Sequence, residues 1–183
     1  MVFKFESTDL KDIILIKADI HRDNRGFLVE TYKNTDFVIN GIVTKFHQLN
    51  HSFSEAKVLR GLHFQAKPYA QGKLVTVISG TVFDVAVDLR PHSRTFRNWV
   101  SVVLSGNNCY SLWIPEGFAH GFLALEDSHV IYLTTNQYSP SYDNGLRWDD
   151  PEVAIKWPLT NPTLSQKDSN LKFVKDLLNE GVL

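Results

Sequence analysis

The chain has 183 residues, of which 43% are hydrophobic and 21% are charged, which predicts a single domain over residues 1–183 with a substantial core. A formal net charge of -1 excludes a general basic surface, so we expect no nucleic acid and no membrane as partners. The single cysteine excludes an internal disulfide and suits a reducing compartment. The longest apolar run near the start, residues 13–16, is shorter than a signal-peptide core or a membrane span. We therefore expect a cytoplasmic protein.

The first half of the chain contains several strand patterns. Residues 26–32, GFLVETY, and residues 43–53, VTKFHQLNHSF, have the composition of β-strands. Residues 73–89 alternate between two faces, break at Ser79 and Gly80, and then resume. That pattern predicts a β-hairpin.

The second arm of the predicted hairpin carries two aspartates, Asp84 and Asp88, on its less apolar face. We expect this face to form a barrel interior or a pocket wall rather than a simple core. Further along, residues 98–108 and 109–117 predict two strands around a turn, and residues 119–138 predict two more.

Only the end of the chain has a helical pattern. Leu171, Val174, Leu177 and Leu178 fall at helical spacing after the polar residues 165–170. Short strands at regular spacing, separated by turn residues, are typical of an antiparallel sandwich or barrel. The sequence therefore predicts an all-β domain with a short C-terminal helix.

Residues 115–122, PEGFAHGF, and the region from His63 to Gly80 resemble the two motifs of the cupin superfamily, which implies a cupin-type jelly roll (double-stranded β-helix). Residues 115–122, PEGFAHGF, contain P-x-G-x-x-H, as in the second cupin motif. The first motif, H-x-H, then glutamate, then glycine, corresponds here to His63, Gln65, Lys73 and Gly80. Because an ammonium group at the glutamate position repels a divalent cation, we expect no metal at this site.

A histidine and a lysine that face one cavity are suited to removing a proton next to a carbonyl group. Histidine can accept a carbon-bound proton near neutral pH, and lysine can stabilise the enolate oxygen that forms. An epimerase also needs a proton donor on the opposite face of the substrate, for which tyrosine is suitable. Strict alternation would put Arg60 and His63 on opposite faces of their strand, so both can serve one pocket only if Gly61 marks a bulge or twist.

The chain also resembles the dTDP-4-dehydrorhamnose 3,5-epimerase family from about HRDNRGFLVE to LSQKD. The segments that carry the resemblance are VLRGLHFQ, QGKLVTVISGTVFDVAVDLR, LWIPEGFAHGFLAL, IYLTTNQYSP, LRWDDPEVAIKWP and LSQKD. The resemblance implies a cofactor-independent isomerase that inverts C3 and C5 of dTDP-4-keto-6-deoxyglucose in dTDP-L-rhamnose biosynthesis. It also implies a homodimer in which the N-terminal strands, about residues 1–45, pair with the partner's sheet.

The resemblance assigns four catalytic residues. By this comparison His63 is the general base, Asp168 is its carboxylate partner, Tyr132 is the general acid and Lys73 stabilises the enolate. From the residues alone, Asp168 has a second interpretation, because it precedes the C-terminal helix and can cap it.

The remaining matched positions are predicted to bind the substrate. Arg60 and His120 match residues that line the sugar and phosphate site, Tyr138 matches an aromatic that stacks on thymine, and Lys167 is placed to contact phosphate. The positions matched to nucleotide binding are Arg25, Glu30, Gln48 and Asn50. Asp143 lies near a glutamate position of the family, and Leu49 stands where many members have aspartate.

Three other functions are alternatives to a 3,5-epimerase. A 3-epimerase acting on a related dTDP-4-keto-6-deoxy sugar would use the same catalytic residues, so the sequence barely separates the two. A metal-dependent cupin oxygenase or isomerase is disfavoured by Gln65 and Lys73. A sugar-binding jelly roll without activity is disfavoured because a binding module has no need of an acid and a base.

Overall fold

Most of the regular secondary structure in the computed structural model is antiparallel β-strand, and the model describes residues 2–42 and 45–183. The strands are β1 (Phe3–Ser7), β2 (Ile14–Ala18), β3 (Ile20–Asp23), β4 (Gly26–Val29), β5 (Gln48–Ser54), β6 (Leu59–Gln65), β7 (Lys73–Ser79), β8 (Thr81–Asp88), β9 (Trp99–Ser105), β10 (Tyr110–Ile114), β11 (Phe118–Ala124), β12 (Ser128–Thr134) and β13 (Asp143–Gly145). The helices are α1 (Asn34–Ile39), α2 (Gln166–Ser169) and α3 (Val174–Asn179), with a 3₁₀ turn at Pro140–Tyr142.

Two sheets form the body of the fold. One has six strands in the order β1-β2-β10-β7-β12-β5, and the other has five in the order β13-β6-β11-β8-β9. A cluster of buried apolar side chains lies between them, with Val75 and Leu112 from the first sheet and Val82 and Phe122 from the second. The all-β class with a short C-terminal helix is confirmed.

The predicted hairpin over residues 73–89 is wrong in its pairing, although both strands exist. β7 lies in the six-stranded sheet and β8 in the five-stranded sheet, so the chain crosses between sheets at Gly80 instead of turning back on itself. Gly80 has φ +84°, and a Cβ there would lie 2.2 Å from the Asp127 carbonyl oxygen. Only glycine fits this crowded corner.

Asp84 and Asp88 lie on the inward face of β8 and are both fully buried. On the same face, Val82 and Ala86 belong to the core between the sheets. This less apolar face therefore turns toward the interior of the sandwich, as expected, but it belongs to the core and does not form a wall of the cleft.

The other predicted elements are found with changed bounds. β4 covers only the first part of residues 26–32, and β5 covers the later part of residues 43–53, of which Val43 and Thr44 lie outside the described residues. The C-terminal helix is split into α2 and α3, and Leu171 lies between them. Helix α1 was not predicted; its Phe37 is buried against the outer face of the six-stranded sheet.

The outer face of the five-stranded sheet is covered by the C-terminal part of the chain. Val174 and Leu177 of α3 pack in one cluster with Leu62 of β6 and Val85 of β8. This packing brings α2 next to β6. Within residues 2–42 and 45–183, no helix is both long and apolar enough to cross a membrane.

Candidate active site

A cleft opens between the two sheets, and it has an outer and an inner part. The outer part has a cavity volume of about 270 Å³ and the inner part about 160 Å³. His63, Lys73 and Tyr132 line both parts, so the two form one continuous space. The other predicted residues that line it are Gln48, Asn50, Tyr138, Asp143 and Lys167 in the outer part and Arg60 and His120 in the inner part.

His63 is held by the carboxylate of Asp168. Its Nε2 lies 2.6 Å from Asp168 Oδ1, and the Gly61 N–H donates to Asp168 Oδ2 at 3.3 Å. Burial opposes ionisation of Asp168, but the contacts with His63, Gly61 and Ser165 outweigh it and hold the pKa of this carboxyl below its usual value. With Nε2 engaged, Nδ1 is the ring nitrogen left to accept a proton.

The second interpretation of Asp168, a helix cap, does not describe its side chain. The N-cap of α2 is Ser165, whose Oγ accepts a hydrogen bond from the Asp168 N–H at 3.0 Å. Asp168 lies in the first turn, and its carboxylate is directed to β6. The short helix therefore fixes the carboxylate next to His63.

Gly61 interrupts the regular pairing of β6 with β11. Arg60 pairs with Phe122 and His63 pairs with His120, with a shift in register between them. Gly61 has φ +107°, and a Cβ there would lie 2.8 Å from the Gly121 Cα. Because of this irregularity Arg60 and His63 reach the same cleft, as the sequence required.

Lys73 is buried at the centre of the cleft. Its Nζ donates to the His63 carbonyl oxygen at 3.0 Å. Burial lowers the pKa of this ammonium to about 8, and the negative charges of Asp143 and Asp84 keep the pKa from falling further. The group is therefore still cationic at neutral pH and can stabilise a developing oxyanion.

Tyr132 lies on the opposite wall from His63. It belongs to β12 in the six-stranded sheet, whereas His63 belongs to β6 in the five-stranded sheet. Burial raises the pKa of the Tyr132 phenol above its usual value, with a smaller opposing effect of Arg60. The phenol therefore keeps its proton at neutral pH. A base and an acid on opposite walls are the arrangement that inversion at carbon requires.

Polar side chains connect the elements around the mouth of the cleft. The Gln48 amide donates to Asn50 Oδ1 at 2.8 Å and accepts from the Tyr138 N–H at 2.8 Å. The Tyr138 hydroxyl donates to Asp143 Oδ2 at 2.9 Å, and Lys167 forms an ion pair with the same carboxylate. Asp143 thus lines the cleft and holds two predicted binding residues in place.

Comparison with known proteins agrees with this geometry. The family model described as dTDP-4-dehydrorhamnose 3,5-epimerase matches residues 7–176. A protein with that name from Methanothermobacter thermautotrophicus is 48% identical over 179 residues, which cover 95% of this chain and 96% of the relative. The chain belongs to the dTDP-4-dehydrorhamnose 3,5-epimerase family.

Two solved structures, one of a 3,5-epimerase and one of a monoepimerase, are also similar to this chain. The Legionella pneumophila dTDP-6-deoxy-D-glucose-3,5-epimerase, solved in complex with dTDP-4-keto-L-rhamnose, has a TM-score of 0.94 and 41% identity, covering 99% of this chain and 97% of that one. A 3'-monoepimerase from Streptomyces bikiniensis, in complex with dTDP-quinovose, has a TM-score of 0.92 at 28% identity, covering 97% and 91%. The predicted jelly roll is confirmed.

Two of the predicted binding residues, Arg25 and Glu30, do not lie at the cleft of the same chain. Arg25 is at the tip of the β3–β4 hairpin, where it pairs with Asp23 at 2.6 Å and 86% of its side chain is exposed. Glu30 follows β4 and is also exposed. In the part of the chain that is described, neither residue lines the outer or the inner cleft.

Sequence reasoning missed one polar residue of the inner cleft, Ser52, and one contact behind the cleft, between Asp84 and His120. Ser52 lines the inner cleft, and its buried Oγ has no hydrogen-bond partner within the described residues. Alternation along β5 could have found it, because Ser52 is two residues beyond Asn50 and four beyond Gln48. Asp84 lies behind His120, with Oδ2 at 2.9 Å from the ring Nε2. No local pattern predicts that contact, since β8 and β11 are distant in sequence.

Proposed function

We propose that this chain converts dTDP-4-dehydro-6-deoxy-D-glucose into dTDP-4-dehydro-L-rhamnose by inverting C3 and C5, a step of dTDP-L-rhamnose biosynthesis. The observation that carries the proposal is the placement of His63 and Tyr132 on opposite walls of one cleft that Lys73 also lines. Membership of the 3,5-epimerase family supports the same substrate and reaction.

The reaction uses the ketone at C4 twice, because C3 and C5 both flank it. His63 removes the proton from one of these carbons, and the electron pair moves onto the ketone oxygen to form an enolate. Lys73 stabilises that oxygen, and Asp168 stabilises the imidazolium that His63 becomes. Tyr132 then returns a proton to the carbon from the opposite face. The same groups serve the second carbon in turn.

The outer cleft is proposed to hold the nucleotide. Tyr138, half exposed at the mouth, offers a ring for the thymine base, with Gln48 and Asn50 beside it. Lys167 lies in the outer part, where it is placed to contact phosphate, and Arg60 lies in the inner part, next to the space proposed for the sugar. Binding of the nucleotide supplies energy that orients the sugar ring between base and acid.

The direct test is incubation of the purified protein with dTDP-4-keto-6-deoxyglucose, with the product identified by NMR. We expect inversion at both C3 and C5. Because Lys73 occupies the position of a cupin metal ligand, the rate should be unchanged after dialysis against excess chelator. A product inverted only at C3 would support the 3-epimerase instead, and a loss of activity with chelator would contradict the metal-free mechanism.

A homodimer is proposed from the N-terminal part of the chain. Within the described residues β3 and β4 pair only with each other, and Phe27 and Leu28 on them are 54% and 70% exposed. An isolated two-stranded hairpin is at best marginally stable in water. We infer that this hairpin packs on a second copy of the chain, and that Arg25 and Glu30 reach the nucleotide in the partner's cleft.

Sedimentation of the wild-type protein at micromolar concentration should show a dimer. A Phe27→Asp and Leu28→Asp double variant should sediment as a monomer, because two carboxylates cannot be buried at an apolar contact. Val103→Asp is the matched control: Val103 is 47% exposed on β9, away from the hairpin, and should leave the dimer intact. A wild-type monomer would contradict the proposal.

We also propose that residues 1–183 form one domain, with about residues 1–45 contributing to the dimer. The cytoplasmic location rests on the single cysteine and on the use of a nucleotide-linked sugar.

A further inference from the structure

Asp84 is a buried carboxylate whose two oxygens differ in their hydrogen bonding. It lies on β8 and is fully buried. Its Oδ2 is 2.9 Å from His120 Nε2, whereas Oδ1 has no hydrogen-bond partner among residues 2–42 and 45–183. A buried carboxylate with an unsatisfied oxygen is costly, and such groups call for an explanation in function or in strain.

Asp84 lies directly behind the catalytic cleft. His120, its partner, pairs across the β6–β11 register with His63 and lines the inner cleft together with Lys73. Two histidines, each held through Nε2 by a buried carboxylate, therefore face the same space. Because Asp84 engages Nε2 of His120, Nδ1 is the ring nitrogen left for a ligand.

Asp84 also acts on Lys73 through space. Burial lowers the pKa of Lys73 to about 8, the negative charges of Asp143 and Asp84 act against that change, and the positive charge of Lys167 adds to it. The titratable and charged groups that line the cleft with Lys73 or act on it are Arg60, His63, Asp84, His120, Tyr132, Tyr138, Asp143 and Lys167. Asp143 is already shared with Lys167 and Tyr138, whereas His120 is the one hydrogen-bonding partner of the Asp84 side chain in the described part of the chain.

We propose that Asp84 is a positioning residue of the epimerase site: its buried carboxylate holds the His120 ring by Nε2 and supplies negative charge behind the Lys73 ammonium. Asp84 does not line the cleft, so it acts through His120 and Lys73 rather than on the substrate. The inference rests on the proposed function, in which Lys73 stabilises the enolate. It gives a function to a carboxylate that is buried beside the apolar residues Val82 and Ala86.

The test uses Asp84→Asn, which keeps the shape and an acceptor for Nε2 but removes the charge. Asp88→Asn is the matched control, since Asp88 is also fully buried on β8 but binds Arg90, Ser93 and Thr95 of its own loop. Loss of a nearby anion favours the neutral amine, so the alkaline limb of kcat should move to lower pH by on the order of one unit in Asp84→Asn. Asp88→Asn should lower the melting temperature and leave the pH profile unchanged.

A titration of Lys73 by NMR, with ¹³C-labelled lysine and Lys73→Arg for assignment, needs no substrate. We expect Lys73 to titrate near 8 in the wild type and at lower pH in Asp84→Asn. If that variant does not fold, Asp84→Ser replaces it, because it also removes the charge while keeping a polar group toward His120, and the Lys73 titration should again move to lower pH. An unchanged titration overturns the role of Asp84. A wild-type protein that does not epimerise, with Lys73 shifted as expected, overturns the proposed function alone.

Discussion

His63→Ala should abolish both epimerisation and the exchange of the C3 and C5 hydrogens with solvent. Removing a proton beside the ketone is the first step of each inversion, and His63 presents Nδ1 for it, because Asp168 engages Nε2 at 2.6 Å. General-base catalysis contributes about 10²–10⁴-fold, so both rates should fall by at least that range. Without the base no enolate forms, and deuterium from D₂O should not enter the sugar ring.

The measurement is NMR of the sugar in deuterated water, run beside a matched histidine variant. His129→Ala is suitable, because His129 pairs with His51 on the outer face of the six-stranded sheet and does not line the cleft. That control should exchange and invert at the wild-type rate. Label that enters C3 or C5 in His63→Ala at the wild-type rate would show that another group is the base.

The sequence located the strands but not their partners. Alternation from residue 73 to residue 89 reports that two strands with two faces are present, and this is what the structure has. It contains no information on whether consecutive strands pair or face each other across a core. The crowding at Gly80, where a Cβ would lie 2.2 Å from a backbone oxygen, depends on the β11–β12 turn, about 47 residues further along the chain, so it is invisible locally.

The site was predictable where its residues lie in recognisable motifs. His63, Lys73 and Tyr132 each fall in a segment that resembles the family, and all three line one cleft. The bulge or twist expected at Gly61 is also present as a shift in register, which allows Arg60 and His63 to share a pocket. The capping role of Ser165 was available too, since serine three residues before an acidic residue is a common helix start.

Contacts between distant strands were not predictable. The pairing of His120 with Asp84 depends on β8 lying beside β11, which the alternation of each strand does not specify. The position of Arg25 was missed for a related reason. Arg25 lies in the turn of a two-stranded hairpin, so it can contact a ligand only if the hairpin packs next to a binding site. In a single copy of the chain, Arg25 is exposed.

Tyr132→Phe should separate enolate formation from inversion. The substitution removes one hydroxyl from the six-stranded sheet. Lys73 of the same sheet stays in place, as do His63 and its partner Asp168 across the cleft. The enolate can therefore still form, but the imidazolium of His63 is then the proton donor that remains. It returns a proton to the face from which it took one, so the original configuration is restored. In deuterated water the sugar should gain label at C3 or C5 with little inversion.

The loss of inversion in Tyr132→Phe should be large compared with the loss of label exchange. Loss of a general acid costs about 10²–10⁴-fold, and that loss should appear in inversion while label exchange falls far less. Tyr110→Phe is the matched control, since Tyr110 is a partly buried tyrosine of β10 outside the cleft and should invert normally. Because burial raises the pKa of Tyr132, the wild-type phenol stays protonated through the alkaline range in which Lys73, with a pKa of about 8, loses its charge. Inversion by Tyr132→Phe at nearly the wild-type rate would show that the proton returned to the second face comes from another group.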